Sequence, residues 1–376
     1  MKILFPIGTL FPSQNGGPSN TVYWMAKALT KNGIEVTCIT TSLGINISEI
    51  PLDKWLDTDY GKVIYTKDGM HNFPFKMLFH SYRKMKSIDV IHLTSLFYLP
   101  SIILALTAFI FRKKTVWSIR GTLEDSALKI SPIKKIIVLF LIKRIKHRVI
   151  FHSTSNQETK NIIHHFGKYA SAIEIPNFME LPKLIQKRDS QKKSLLYLGR
   201  LHPIKAIDRL IHALAKSKIF MSNTDSELVI AGEGTIEYTN YLKTLLDTNE
   251  LNNKVQFFGQ VEGLAKEELV ANSFFCILPS HSENFGNVVL ESLSQGTPVL
   301  ASKGSPWQSL EDNNCGFWVE NDVESLTVTL DRILEMDSTL YEEYRMNALN
   351  LSKKFDIEFG IQNWIREFEY MISNQN

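Results

Sequence analysis

Two glutamates, Glu283 and Glu291, carry the strongest chemical signal in the chain. They lie in Ser280–Gly296, which reads Ser-His-Ser-Glu-Asn-Phe-Gly-Asn-Val-Val-Leu-Glu-Ser-Leu-Ser-Gln-Gly. An apolar run of strand type, Phe274–Leu278, leads into it. Glu283 falls in a polar loop, and Gly286 allows a backbone to approach a ligand closely. From Asn287 the pattern is helical, with Val289, Leu290 and Leu293 on one face and Glu291 one to two turns in. Gly296 stops the helix and Thr297-Pro298 blocks its return. A helix start attracts phosphate through its free N–H groups and its dipole. Carboxylates repel phosphate, so the two glutamates suit another part of the same ligand. Vicinal hydroxyls fit them, each charge-assisted hydrogen bond being worth about 1.5–3 kcal/mol. Hydroxyls, phosphate, hydroxyls is the layout of a sugar nucleotide. Two surface glutamates on an amphipathic helix would show the same bare spacing.

Two cations answer the two acids. Leu195–Gly199 reads as a strand, and Arg200 and Lys205 follow it before Leu210, Ile211 and Leu214 open a helix. A strand-to-helix turn points such cations into one crevice. A nucleoside diphosphate gains negative charge as it leaves, so fixed cations there favour the transition state over the ground state. A third loop, Gly16-Gly17-Pro18, sits between the strand-like Lys2–Ile7 and a helix carrying Val22, Met25, Ala26 and Leu29. Strand, glycine loop, helix opens a phosphate-binding unit, although a tight turn needing positive φ reads the same way.

Glu283 and Glu291, with Glu-x-Phe-Gly, the preceding strand and the Gly-Thr-Pro-Val exit, resemble the Glu-x7-Glu motif of the retaining glycosyltransferases of family 4, formerly group 1. The resemblance implies an α/β chain of the GT-B type: two Rossmann-like, doubly wound parallel-sheet domains facing a cleft, with a C-terminal helix crossing back. It implies that Glu291 binds the ribose, Glu283 the transferred sugar, and Arg200 and Lys205 the diphosphate. Backbone near Phe285, Gly286 and Asn287 assists, Gly16 and Gly17 close from the other side, and Val261 frames the base. Arg120-Gly-Thr-Leu-Glu124 resembles a segment of a bacterial branch that builds surface polysaccharides, such as capsule or the O-antigen of lipopolysaccharide. Many members have a histidine there, so its role does not carry over. Arg120 holds an anionic acceptor or only braces its loop, and Glu124 accompanies it. Three further departures are Phe178 and Ala206, each where glycine is usual, and Lys303-Gly304-Ser-Pro where the family commonly has Gly-Gly-x-Pro. The chain's one Asp-x-Asp spacing, Asp57-Thr58-Asp59, lies far along the chain from the donor segments, and two cations with a helix start can replace a metal ion, so the expected transfer needs no metal ion and no cofactor, the nucleotide-sugar being a substrate.

The chain has room for two domains at 376 residues, with an ordinary 44% hydrophobic and 22% charged composition. The expected division is 1–180, a linker 181–194, a nucleotide-sugar domain 195–355 and a tail 356–376. In the tail, Phe359, Trp364, Phe368 and Met371 recur at roughly helical spacing. Short apolar pieces in 44–88 alternate with charges and set no order of elements. His92 reads as a structural strand-end residue or a ligand. Cys38, Cys276 and Cys315 are too few and too far apart for a disulfide framework or zinc site, which fits a reducing cytoplasm. The start lacks a signal-peptide pattern. Leu96–Phe111 is too short to span a bilayer and reads as a buried helix. Residues 1–180 carry 23 Lys and Arg against 12 Asp and Glu, while the remainder carries 19 against 27. The excess peaks in Ile130–Ile150, where aliphatics alternate with Lys134, Lys135, Lys143, Arg144, Lys146 and Arg148. A basic amphipathic helix there lies on an anionic membrane or is simply a solvated cationic face. The expected partners are a nucleotide-sugar, a lipid-linked or oligosaccharide acceptor and the cytoplasmic face of the inner membrane. Nucleic acid is excluded, because the basic stretch is interleaved with aliphatics. A catalytically inactive binding module, a nucleotide-sugar epimerase or a synthase acting on a soluble acceptor would keep the same fold.

Overall fold

The computed structural model describes the chain except residues 14–16, 47–49, 69–72, 189–191 and 374–376, and the side chains of Asp125 and Ser126. It divides into two units, Met1–Glu180 with Asp356–Asn376, and Leu181–Phe355.

In Lys2–Ile7 every position after the exposed Lys2 is apolar, so neither face of the run can meet water. It becomes β1 at the centre of the first sheet. The other strands of this unit are β2 Glu35–Thr41, β3 Trp55–Thr58, β4 Gly61–Thr66, β5 Val90–Thr94, β6 Lys114–Ser118, β7 Val149–Ser153 and β8 Ala172–Glu174. Their order is β3-β4-β2-β1-β5-β6-β7-β8, all parallel but for the β3–β4 hairpin. Among the described residues, the charge-broken stretch 44–88 holds that hairpin, the helix Phe75–Lys84 and the short turn Met85–Ser87. The second unit holds β9 Lys193–Leu198, β10 Ser226–Ala231, β11 Val255–Gly259, β12 Phe275–Leu278, β13 Val299–Ser302 and β14 Gly316–Val319. Its order, β11-β10-β9-β12-β13-β14, is parallel throughout. Both sheets reverse direction once, between β1 and β5 and between β9 and β12, which is the doubly wound pattern. Cys38, Cys276 and Cys315 are free and buried, and burial pushes each thiol up to about 12.

On one face of the first sheet, Val22, Met25 and Leu29 of the helix Gly17–Lys31 share a core with the last helix, Ile357–Ser373. That helix buries Ile357, Ile361, Trp364, Phe368 and Met371, spaced by alternating threes and fours. Phe359 is off this stripe and is 69% exposed, contrary to the sequence reading. Phe178 is buried in the same core, and a Cβ on Gly360 would lie 2.3 Å from its ring. The linker residue therefore serves as a packing contact for the last helix instead of a free turn.

The opposite face is covered by Met77, Leu104, Ile142 and Phe166 from four helices. The basic stretch forms one of these helices. The helix Pro132–Ile145 buries only Ile142 and Ile145. Ile133, Ile136, Ile137 and Phe140 point outward, exposed by 74%, 65%, 56% and 55%, among the cations. Leu99–Ile110 is helical as expected, but Leu99 and Ile110 at its ends are exposed.

His92, Ser118 and His152 sit on the neighbouring strands β5, β6 and β7. His152 Nε2 lies 2.9 Å from the Ile175 carbonyl, so it must carry the proton there. His152 Nδ1 then accepts from Ser118 Oγ at 2.7 Å, and Ser118 Oγ accepts from His92 Nε2 at 2.7 Å. Both rings are neutral, and Trp364 of the last helix packs on them with centroids 5.0 and 4.6 Å away. Burial, with His152 and Arg120 nearby, holds His92 well below the ordinary histidine range. Burial and Arg120 bring His152 down to about 3. An unfolded chain takes up these protons near pH 6.5 and the native one does not, so native stability falls as pH drops from about 6.5 toward 3. Urea midpoints measured across pH 7.5 to about 4.5 should fall on acidification. His152→Gln should flatten the slope of that decline, and an unchanged slope rules out this origin.

Candidate functional site

The second unit's reversal between β9 and β12 places two loops side by side at the C-terminal ends of neighbouring strands. A crevice outside such ends is where doubly wound sheets bind ligands. Arg200 and Lys205 follow β9, and Glu283 follows β12.

The β9 loop is built by short-range bonds. Tyr197 Oη donates to the Arg200 carbonyl at 2.8 Å. The His202 side chain caps the single turn Pro203–Lys205 by accepting from the Ile204 N–H. Ala206 then takes φ 51° and ψ 38°, the left-handed conformation that glycine adopts freely. This departure from the family's glycine keeps the glycine's backbone and adds a buried methyl. Arg200 is exposed and, among the described residues, makes no ion pair. His202 is held below its ordinary range by burial first, then by Arg200 and Lys205, so both cations act on one spot.

The β12 loop is tied to it. His281 N–H donates to the Ile204 carbonyl at 2.8 Å. Lys205 Nζ pairs with Glu283 Oε1, the two side chains being only 21% and 11% exposed. The same Glu283 oxygen accepts from Ser280 Oγ at 2.7 Å, and Glu283 N–H donates to the Gly304 carbonyl at 2.7 Å. Three of the contacts that aim Glu283 thus come from Lys205, Ser280 and Gly304. Ser280 and Gly304 were not selected from sequence. Ser280 stands three residues before Glu283, a spacing that could have suggested it. Gly304 is required by space, since a Cβ there would lie 2.4 Å from the His281 carbonyl oxygen.

Gly286, at φ 79°, starts the helix Asn287–Ser294 with no side-chain cap. Phe285 is buried, its ring on Trp307 and Phe355, and its carbonyl accepts from Trp307 Nε1. Its ring belongs to the core, so only its backbone is available to a ligand. Glu291 lies in the second turn and pairs with Lys266 Nζ at 3.1 Å. Lys266 belongs to the helix Gly263–Asn272, and no sequence signal pointed to it. Val261, in the loop before that helix, packs on Leu196, Val229 and Val270.

Four of the predicted residues belong to the first unit. Gly17 is the first residue of its helix, and Gly16 lies outside the described residues. Arg120, just past the C-terminal end of β6, has φ 56° and is half-buried, donating from Nη1 to Asn177 Oδ1 at 2.5 Å. Its Nε and Nη2 have no partner among the described residues, and burial lowers its ordinary value to about 10. Glu158 accepts from the Gly121 and Thr154 N–H groups and makes no ion pair with Arg120. Glu124 donates its N–H to the Gly121 carbonyl. A groove of about 590 Å³ in this unit, lined by Asn32, Asp89, Gln362 and Glu369 among others, contains none of the predicted residues. Among the described residues no group of three or more His, Cys, Asp or Glu side chains could hold a metal ion.

Two doubly wound Rossmann-like units in one chain define a GT-B protein. The chain belongs to the group 1, family 4 glycosyltransferases: residues 182–351 match the profile described as "Glycosyl transferases group 1" and residues 15–181 that described as "Glycosyltransferase Family 4". It is 33% identical over 145 residues to an uncharacterized glycosyltransferase of Methanocaldococcus jannaschii, which covers 38% of this chain and 36% of that protein. It is 23% identical over 358 residues to N-acetyl-alpha-D-glucosaminyl L-malate synthase of Bacillus anthracis, covering 89% and 88%. The chain spans 36% to 48% of the length of the first four curated relatives it matches. Its fold is that of Anabaena HepE in complex with UDP and glucose, with a TM-score of 0.78, 17% identity and coverage of 98% of this chain and 100% of that one.

Gly304→Ala should destabilise the second unit by about 1–3 kcal/mol, because the new methyl meets backbone that cannot yield. The neighbouring Lys303→Ala, on an exposed side chain, should stay within about 0.5 kcal/mol. Urea denaturation of the two variants checks the difference.

Proposed function

We propose that the chain moves a sugar, with retention, from a nucleotide-sugar to a lipid-linked glycan in surface-polysaccharide assembly. The observation that carries this reading is the Lys205–Glu283 pair at the β9–β12 reversal, in a chain whose two halves both match the family. Glu291 binds the ribose hydroxyls and Glu283 the hydroxyls of the transferred sugar. Arg200 and Lys205 hold the diphosphate, assisted by backbone at Phe285, Gly286 and Asn287. Gly16 and Gly17 serve the donor phosphates, and Val261 frames the base. Arg120 and Glu124 serve the acceptor or sugar, Arg120 offering an unpartnered guanidinium edge to an anionic group. HepE, of the same fold, has been crystallised with UDP and glucose, which supports a nucleotide-sugar donor.

In the proposed step the bond from the anomeric carbon to the diphosphate oxygen breaks. A bond from that carbon to the acceptor oxygen forms on the same face. The acceptor's proton passes to the departing phosphate oxygen. Arg200 and Lys205 neutralise the charge that grows there, a task metal ions perform in other transferases, so the reaction is read as metal-independent. The alternative of an inactive module leaves the Lys205–Glu283 arrangement without a use.

The acceptor reading draws on the helix Pro132–Ile145. Its exposed Ile133, Ile136, Ile137 and Phe140 stand among Lys134, Lys143 and Arg144. The helix Phe75–Lys84 adds exposed Phe75, Phe79 and Tyr82 with Arg83 on the same side of the sheet. Apolar side chains mixed with cations suit the headgroup region of an anionic bilayer. Among the described residues no helix is long and apolar enough to cross a membrane, so the proposed contact is peripheral. A second reading is a soluble acid acceptor, favoured by the relative whose name specifies L-malate.

Glu283→Gln should lower turnover about 100-fold or more without unfolding the chain. In the same assay, wild-type activity should persist in EDTA, and loss restored by a divalent ion overturns the metal-independent reading. Co-sedimentation with phosphatidylglycerol vesicles at low salt should capture the protein, and phosphatidylcholine vesicles should not. Ile133→Asp with Ile137→Asp should release it. No binding to either vesicle favours the soluble acceptor.

A further inference from the structure

The pairing of Glu291 with Lys266 is not accounted for by any motif in the chain. Lys266 lies in the first turn of the helix Gly263–Asn272, which packs beside the helix bearing Glu291. Its Nζ is 3.1 Å from Glu291 Oε1, and the two side chains are 27% and 20% exposed. The charged heads are therefore close to the surface but largely enclosed, and Lys266 follows the loop that holds Val261.

The chemistry of a diol explains why such a pair suits a ribose. Each hydroxyl carries one donor and two acceptor lone pairs. A carboxylate only accepts, and an ammonium only donates. Glu291 alone can take up hydroxyl protons but leaves the hydroxyl oxygens without a donor. An ammonium fixed beside it supplies that donor. The contact uses one of the three N–H groups of Lys266 and one of the two oxygens of Glu291, which leaves a donor and an acceptor side by side. The same arrangement recurs at the other glutamate, where Lys205 and Ser280 occupy Oε1 of Glu283 and leave Oε2.

We propose that Lys266 is a donor-binding residue that reads the ribose together with Glu291. Lys266 donates to one hydroxyl while a hydroxyl of the same pair donates to Glu291. The ligand class is a ribonucleoside diphosphate and its sugar conjugate. The pair discriminates against deoxyribose, because losing either hydroxyl leaves an N–H of Lys266 or an oxygen of Glu291 without its hydrogen bond. The inference rests on reading Glu291 as the ribose group.

The test is calorimetric titration of the full chain with UDP, GDP and ADP, followed by the 2′- and 3′-deoxy forms of whichever binds. The wild type should prefer the ribo form to at least one deoxy form by about 10-fold or more. Lys266→Met should weaken the ribo form about 10-fold and leave that deoxy form nearly unchanged, so the preference disappears. Lys266→Arg, which restores a donor, should recover most of it. A Lys266→Met variant that weakens ribo and deoxy forms equally, or neither, overturns the role of Lys266 while the function stands. A wild type that binds none of the three diphosphates overturns the reading of Glu291, and this inference with it.

Discussion

A lysine and a glutamate 78 positions apart hold the second unit's loops in register. Lys205 and Glu283 are both mostly withdrawn from water, where an unpaired charge is costly and a paired one is strongly directed. Apart from the single turn Pro203–Lys205, neither loop has a helix or strand of its own to define it at this point. Their shape comes from this pair and from backbone bonds at Ile204, His281 and Gly304. These contacts lie within the protein itself, so the two charges are fixed relative to each other. Such preorganisation is what makes fixed charges effective at a reacting centre.

The first unit rests on a neutral device. His92, Ser118 and His152 run across three strands as one chain of hydrogen bonds that ends on the Ile175 carbonyl. The direction of every bond follows from that carbonyl, which can only accept. Trp364 covers the two rings, so the last helix in the chain seals a polar line at the centre of the sheet. Phe178 and Gly360 add a close contact between the helix and the segment where the chain leaves this unit. Two departures from the family pattern thus have physical accounts. Phe178 fills a core position, and Ala206 adopts the backbone that a glycine there would have supplied.

Much of the fold was legible in the residue order. Continuous apolar runs marked β1 and β12 because buried parallel strands leave no polar face. The helix at Asn287 was marked by Val289, Leu290 and Leu293, with Gly296 as its stop. Residues 44–88 were illegible, because a short edge hairpin and a helix with exposed Phe75, Phe79 and Tyr82 break both periodicities. Phe359 misled for a related reason. Its spacing was close to that of the buried stripe, but only the neighbouring sheet determines which face of a helix is covered.

The amino-acid order by itself determined the doubly wound architecture, the family and the positions of Glu283, Glu291, Arg200 and Lys205. The strands and helices follow from local signals such as apolar period and glycine stops, whereas the architecture and the family came from the resemblance of the Glu-x7-Glu segment. Tertiary structure alone decided which lysine meets which glutamate, that Gly304 must lack a side chain, and that the aliphatics of Pro132–Ile145 face outward. Each of those facts depends on two segments far apart in sequence meeting at a few ångströms. No spacing along a single strand or helix encodes such a meeting.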